Sequence, residues 1–181
     1  VYSSDHGDNA GARGLWGKSN MYQESVAVPL LVSDPDLAPG TCGTPVSLLD
    51  LSATIPAHFG LEPAPEMAGR SLVEIAGEDD DAERAVFSEY HAAGAVNGAF
   101  MLRRGRYKLI HYVGFEDELF DLEADPEEME NLAGDPAHAD LLGDLHRALR
   151  EICDPDEVNE RAHAEQRQAV EALGGLEVVR H

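Results

Sequence analysis

Near the start of this 181-residue chain lie three side chains of types that can do chemistry: Asp5, His6 and Lys18. Asp5 and His6 follow a short β-branched and aromatic run that is typical of the end of a strand, and Gly7 breaks that pattern. Neighbours within a strand point to opposite faces, so both can face one site only where the strand ends. A carboxylate and an imidazole would supply half of a divalent-metal site.

The same residues also have an ordinary structural interpretation. Taken alone, an Asp-His pair at a strand end is more often a turn former beside a solvated histidine, and a loop lysine is usually solvated. The segment 7–18 is rich in Gly, Asn and Asp and carries the single Trp. Such segments are typical of surface loops on a rigid scaffold, where sites are commonly built. The residues alone leave both interpretations open.

Three phrases resemble the sulfatases of the alkaline-phosphatase superfamily: SDHGD at 4–8, GLWGK at 14–18 and MYQES at 21–25. The resemblance implies that Asp5 and His6 complete a divalent-metal site begun by an Asp pair near the N-terminus, and that Lys18 holds the sulfate oxygens. The implied metal is calcium, with manganese or magnesium as alternatives because a His ligand suits softer ions. Asp8 is expected to hydrogen-bond the loop, and Arg13 either to lie directly behind the site residues or to be a surface charge.

The chain departs from the sulfatase pattern at the nucleophile. Sulfatases carry a Cys or Ser followed by x-Pro-x-Arg, and this residue is oxidised to formylglycine. Cys42 is followed by a proline one place late, and Cys153 has Glu157 where the arginine should stand. Neither cysteine should be converted. We therefore expect a C-terminal piece of a longer sulfatase, inactive alone, with its nucleophile upstream of Val1.

The chain is expected to have an α/β fold: the C-terminal part of an alkaline-phosphatase-like sulfatase fold, with a small antiparallel sheet and C-terminal helices. The acid-rich run 78–83 is the best boundary. It divides the chain into the end of the catalytic α/β domain (1–83), the sheet subdomain (84–135) and a helical tail (136–181).

Within 1–83, the apolar run 26–33 predicts a buried strand. A helix should follow, with Thr44 as N-cap and Pro45 as its first residue. Pro56 should kink or end it, and Gly60 and Pro63 should mark its exit. The residues predicted to form its buried face are apolar: Leu48, Leu49, Leu51 and Ile55.

Within 84–135, alternating patterns predict strands over 85–90, 99–103, 107–112 and 118–122. Lys108 belongs to a strand phrase of the family, so a structural role is expected. Glu89 and His91 end the first of these strands, near the substrate mouth in relatives, and are candidates for substrate contact against a surface role. Asp125 should cap a helical turn over 125–128.

Two helices are predicted in the tail, one from Ala137 and one after the cap Asp154. The second has a narrow, Ala-rich apolar stripe, which seldom holds a helix to its own domain alone. The resemblance implies that this extension packs on a neighbouring subunit, so a homo-oligomer is expected.

Composition excludes several partners. The formal net charge of -22 argues against nucleic acid or an anionic membrane surface. Two distant cysteines form neither a disulfide framework nor a zinc-like pair, which favours a cytoplasmic location, with periplasmic or secreted locations open. The expected substrate is a small sulfate ester. The alternatives are a phosphonate monoester or phosphodiester hydrolase of the same superfamily, and a non-catalytic acidic assembly module.

Overall fold

The computed structural model describes residues 1–62, 64–92 and 94–179. An antiparallel sheet has four strands in sequence order: β1 (Val86–Tyr90), β2 (Ala99–Arg104), β3 (Tyr107–Tyr112) and β4 (Glu118–Asp121). The tight turn between β2 and β3 places Gly105 at a φ of 59°, a conformation that side chains disfavour. The predicted sheet is therefore confirmed, with its strand bounds within one residue.

Alternation along the strands gives the sheet two buried faces, each with its own core. The helix face carries Phe100, Leu102, Leu109 and Leu119, which pack against Leu145 and Leu149 of the C-terminal helices. The loop face carries Ala99, Met101, Ile110 and Phe120, which pack against Met21 of the N-terminal segment. The sheet thus lies between the candidate site loop and the helical tail.

Helices α4 (Ala139–Ile152) and α5 (Pro155–Ala172) form the tail, followed by the short α6 (Leu176–Val179). A 3-10 turn, Pro136–His138, precedes α4, so the helix predicted from Ala137 begins slightly later. Asp154 caps α5 as predicted, because its carboxylate accepts hydrogen bonds from two backbone N–H groups of the first turn.

The N-terminal part contains three helices, α1 (Gln23–Val26), α2 (Leu48–His58) and α3 (Leu72–Gly77). The strand predicted over 26–33 is wrong: only an isolated antiparallel bridge joins Tyr2 and Leu31. The strand does not form because Val26 belongs to α1 and Pro29 has no N–H to donate to a neighbouring strand. In the described ranges, no strand lies beside this run.

The predicted start of α2 is also wrong. Its N-cap is Ser47, which forms a capping box with Asp50, so the helix begins at Leu48. The Thr44 hydroxyl instead accepts a hydrogen bond from the Asp81 N–H at 2.8 Å. Helix α2 continues through Pro56 for two residues and ends at His58, and the predicted exit residue Pro63 lies outside the described residues.

The predicted buried face of α2 is a further error. Leu48, Leu49 and Ile55 are exposed and Leu51 is half-buried, whereas the buried residues are Asp50, Ala53 and Thr54. Asp50 determines this orientation because its carboxylate binds the Arg84 guanidinium, with nitrogen–oxygen distances of 2.7 and 3.0 Å. This polar contact therefore orients α2 so that most of its apolar stripe faces solvent.

The helical turn predicted at 125–128 does not form. Asp125 still caps a turn, accepting hydrogen bonds from the N–H groups of Met129 and Glu130, but Glu128 has a φ of 53° and cannot continue a helix. The Glu128 carboxylate instead meets the Lys108 ammonium at 2.5 Å, and neither side chain is exposed to solvent. Lys108 has the structural role expected for it.

The division of the chain into three parts, at 83/84 and 135/136, stays a prediction.

Across the described ranges, the helices lack the combination of length and apolar character needed to cross a membrane.

Candidate active site

The loop carrying Lys18 is closed by Asn9. Its backbone N–H and its side-chain amide both donate to the Gly17 carbonyl, at 2.8 and 2.5 Å, and the amide also reaches the Ser25 hydroxyl at 3.1 Å. Asn9 is only 2% exposed, so these bonds are protected from water. The closure brings Lys18 back beside His6, twelve residues earlier.

Gly7 fixes the other side of the loop. Its N–H donates to the Ser25 carbonyl at 2.8 Å, and a Cβ at this position would lie 2.0 Å from the Glu24 carbonyl oxygen. Glycine is required here because the two backbones approach so closely. The contact anchors Asp5 and His6 against α1.

Three polar groups converge at His6. Its Nδ1 lies 2.7 Å from the Gly7 carbonyl oxygen, which can only accept, so Nδ1 carries the proton and Nε2 presents a lone pair. Nε2 lies 3.3 Å from Oδ2 of Asp5, and the Lys18 ammonium donates to it. The structure therefore brings together the three residues that the sequence predicted.

The donor set of Asp5 and His6 fits a divalent cation, which would take the His6 lone pair that the Lys18 ammonium occupies here. A carboxylate oxygen and an imidazole lone pair that are 3.3 Å apart are near the separation of two ligands on one ion with bonds of about 2.0–2.5 Å. Although desolvation raises the pKa of Asp5, the neighbouring His6 and the hydrogen bonds from the backbone and Ser4 lower it below its ordinary value. The carboxylate is thus kept in its ligating form.

Arg13 fastens the loop to the sheet subdomain, a role the sequence did not reveal. Its guanidinium donates to the Glu24 carboxylate and to the Glu127 carbonyl, lies 3.9 Å from Glu128, and stacks 4.1 Å from the Tyr22 ring centroid. Its side chain is only 13% exposed. Of the two expected places, Arg13 therefore occupies the one behind the site loop, half-buried, and not the surface.

Glu89 and His91 are not brought together with Lys18. They line a cleft of about 420 Å³ with α5, and the His91 ring packs edge-on against Phe100 on the helix face of the sheet. Tyr90 points the other way, and its hydroxyl donates to Ser19 at 3.1 Å, next to Lys18. Substrate contact by Glu89 and His91 stays a prediction.

A second cleft, of about 600 Å³, lies beside Asp5. Ser3, Ser4 and Asp5 form one wall, and the exposed side of α2 forms the other with Leu51 and Ile55. The candidate metal ligand Asp5 therefore borders a space large enough for a small molecule.

The family model for the C-terminal region of N-sulphoglucosamine sulphohydrolase matches residues 11–168. The chain belongs to the sulfatases of the alkaline-phosphatase superfamily. It is 39% identical to the choline-sulfatase of Rhizobium meliloti (strain 1021) over 139 residues, which are 75% of this chain and 27% of that enzyme. This sulfatase chain therefore spans about a quarter of that relative's length.

Solved structures share the fold. A protein solved with its substrate, D-glucosamine-2-N,6-O-disulfate, has a TM-score of 0.73 at 28% identity, covering 86% of this chain and 35% of that one. The phosphonate monoester hydrolase of Agrobacterium radiobacter has a TM-score of 0.69 at 25% identity, covering 83% and 34%. The sulfatase chain thus matches about a third of each neighbour.

Proposed function

We propose that this chain is the C-terminal part of an enzyme that hydrolyses sulfate esters with a divalent metal and a formylglycine nucleophile supplied from outside residues 1–181. The observation that carries the proposal is the convergence of Asp5, His6 and Lys18. Asp5 and His6 would hold the metal, with calcium favoured over manganese and magnesium. By itself the chain should not turn over, because neither cysteine lies in a Cys-x-Pro-x-Arg run.

The chemistry explains why these groups are needed. Breaking the S–O bond of a sulfate ester places negative charge on the sulfate oxygens and on the leaving oxygen. Lys18 would hold the sulfate oxygens through its ammonium, and Asn9 and Gly7 keep the ammonium and the Asp5–His6 pair in place. A bound divalent ion supplies further stabilisation of that charge.

The first test uses the full-length protein that contains this chain and a chromogenic aryl sulfate. Lys18→Ala should lower kcat/KM by about 10²–10³, the usual cost of one such donor. Arg147→Ala is the matched control, because Arg147 is an exposed cation, 70% accessible, on α4. Activity should also fall on chelation and return with metal. Hydrolysis unaffected by both treatments would overturn the mechanism.

The coding sequence upstream of Val1 provides an independent test. It should contain a Cys or Ser followed by x-Pro-x-Arg and an early Asp-Asp pair. If both are missing, the retained residues are a remnant on a non-catalytic acidic module, and the enzyme proposal falls. A cytoplasmic location remains a prediction from cysteine usage alone.

A phosphonate monoester hydrolase is the second candidate, favoured by the structural likeness to the Agrobacterium radiobacter enzyme. A phosphonate monoester also presents a tetrahedral anionic centre, which Lys18 could hold in the same way. The ratio of kcat/KM for an aryl sulfate to that for a phosphonate monoester distinguishes the two. A ratio above one favours the sulfatase, and a ratio below one favours the phosphonate enzyme.

A further inference from the structure

Three ionisable side chains from different elements meet on the helix face of the sheet. His111 lies on β3, Asp117 in the β3–β4 connection and His146 on α4. Nδ1 of His111 lies 2.7 Å from Oδ1 of Asp117, and Nε2 of His146 lies 2.7 Å from Oδ2. The side chains are partly buried, with exposures of 16%, 21% and 29%, so small solutes can reach them.

We propose that this triad of His111, Asp117 and His146 binds a zinc-class transition-metal ion. The three ligand atoms lie within 4.8 Å of one another. The two imidazole centroids are 5.3 Å apart. Two imidazoles on one tetrahedral ion, with metal–nitrogen bonds of about 2.0–2.1 Å, place their centroids about 5 Å apart. The rings therefore already stand at the separation that a shared ion requires.

The ligand chemistry selects the metal class. Two imidazoles and one carboxylate suit zinc and related transition ions, whereas calcium prefers a shell of six to eight oxygen atoms. Three protein ligands leave one position of a tetrahedral ion to water. The triad thus differs in its preferred ion from the Asp5–His6 pair, and the inference does not depend on the proposed function.

The surroundings hold the triad in shape. The Asn131 side chain donates to the Asp117 carbonyl at 3.0 Å, which fixes the β3–β4 connection beneath the carboxylate. Without metal, the two imidazole nitrogens each donate a proton to Asp117, and the triad is a hydrogen-bonded clasp between β3 and α4. A bound ion would take the place of these protons at Nδ1 of His111 and Nε2 of His146, and each neutral ring would then carry its proton on its other nitrogen.

The test is an equilibrium titration of the purified 181-residue chain with Zn²⁺ alone, after chelator treatment. His146→Gln keeps an N–H donor for Asp117 but loses the imidazole ligand. We expect it to weaken zinc binding at this site by at least about 10–100-fold, the cost of losing even an outer partner of a metal ligand. His111→Ala should do the same, and circular dichroism checks that both variants fold.

Two controls locate the binding. His138→Ala removes an imidazole from an ordinary exposed pair with Asp135, 3.0 Å apart, and should leave zinc affinity unchanged. His6→Ala removes binding at Asp5 and His6. The one equivalent of zinc that binds at the triad should still bind in this variant. Co²⁺ in place of zinc should give the strong visible absorption of a tetrahedral site, lost in His146→Gln. Equal zinc affinity in the wild type and His146→Gln would overturn the proposal. The triad would then have only its hydrogen-bonding role between β3 and α4.

Discussion

At the scale of single residues, Tyr22 and Tyr112 share one carboxylate. Their hydroxyls donate to the two oxygens of Glu118, at 2.8 and 3.0 Å. Burial, reinforced by the hydrogen bond and charge of Glu118, raises the pKa of Tyr22 to about 12, and burial and Glu118 also raise the pKa of Tyr112. Both phenols are therefore held in the protonated form in the folded protein.

This arrangement predicts a loss of stability at high pH. A tyrosine in the unfolded chain ionises near pH ~10, whereas folded Tyr22 keeps its proton. The stabilisation is fully present below pH ~10 and is lost as the pH rises towards the pKa of folded Tyr22, about 12. Tyr22→Phe should reduce the slope of unfolding free energy against pH in urea titrations. Tyr2→Phe, at a residue that is 64% exposed, should leave the slope unchanged, and equal slopes in all three proteins would contradict the prediction.

The buried pair of Lys108 and Glu128 leads to a second prediction. Desolvation lowers the pKa of Lys108, while the Glu128 carboxylate opposes that shift. Lys108→Met should lower the free energy of unfolding by about 3–5 kcal/mol at pH 7, because it removes the closer countercharge of the buried Glu128 and leaves only Arg13, at 3.9 Å. Lys108→Met with Glu128→Gln should cost less than the sum of the two single changes. Additive losses in denaturant titrations would show that the pair is not coupled.

The sequence indicated the candidate site residues better than the residues that hold them in place. Asp5, His6 and Lys18 stand in short phrases that can be recognised locally. Arg13 gains its role from Glu127, 114 residues away, and no local pattern signals that contact. Asn9 looks like any loop asparagine until the Gly17 carbonyl is placed beside it.

At the scale of elements, strands were predicted more accurately than α2. Alternating residues and a tight turn at Gly105 are local signals, and they determine β1 to β4. Helix α2 has a stripe of leucines that predicted the wrong buried face, because Asp50 reaches Arg84, 34 residues later. The N-cap of α2 was misassigned for a related reason, since the Thr44 hydroxyl accepts a hydrogen bond from the distant Asp81 N–H.

The orientation of α2 can be tested at Asp50. Its carboxylate is fully buried and also accepts a hydrogen bond from the Arg70 N–H at 2.9 Å. Asp50→Asn keeps the size but removes the charge that faces Arg84, so unfolding should become easier by about 3–5 kcal/mol. Asp140→Asn is the control, at an exposed acid in the first turn of α4. If the two variants unfold at the same urea concentration, the Asp50–Arg84 contact does not hold α2 in place.

At the scale of the molecule, charge and the tail helices act in opposite directions. A net charge of -22 makes copies of the chain repel one another. The tail nevertheless exposes two large apolar side chains after α5, Leu173 (65%) and Val178 (61%), whereas the exposed residues 165–168 of α5 are polar or charged. Only the start of α5 contributes buried residues, Pro155 and Asn159. Leu173 and Val178 are therefore the apolar contacts that the tail offers to the expected homo-oligomer.

Association should then depend on salt. Screening shortens the range of charge repulsion from about 10 Å at 0.1 M salt to about 3 Å at 1 M, while burial of apolar surface is not weakened. Sedimentation velocity should show more oligomer at high than at low sodium chloride, and a chain ending at residue 164 should stay monomeric in both. A variant with Leu173→Ser tests the apolar contact without removing the helix. A chain that remains monomeric at both salt concentrations, or a truncated chain that still associates, would exclude assembly through α5.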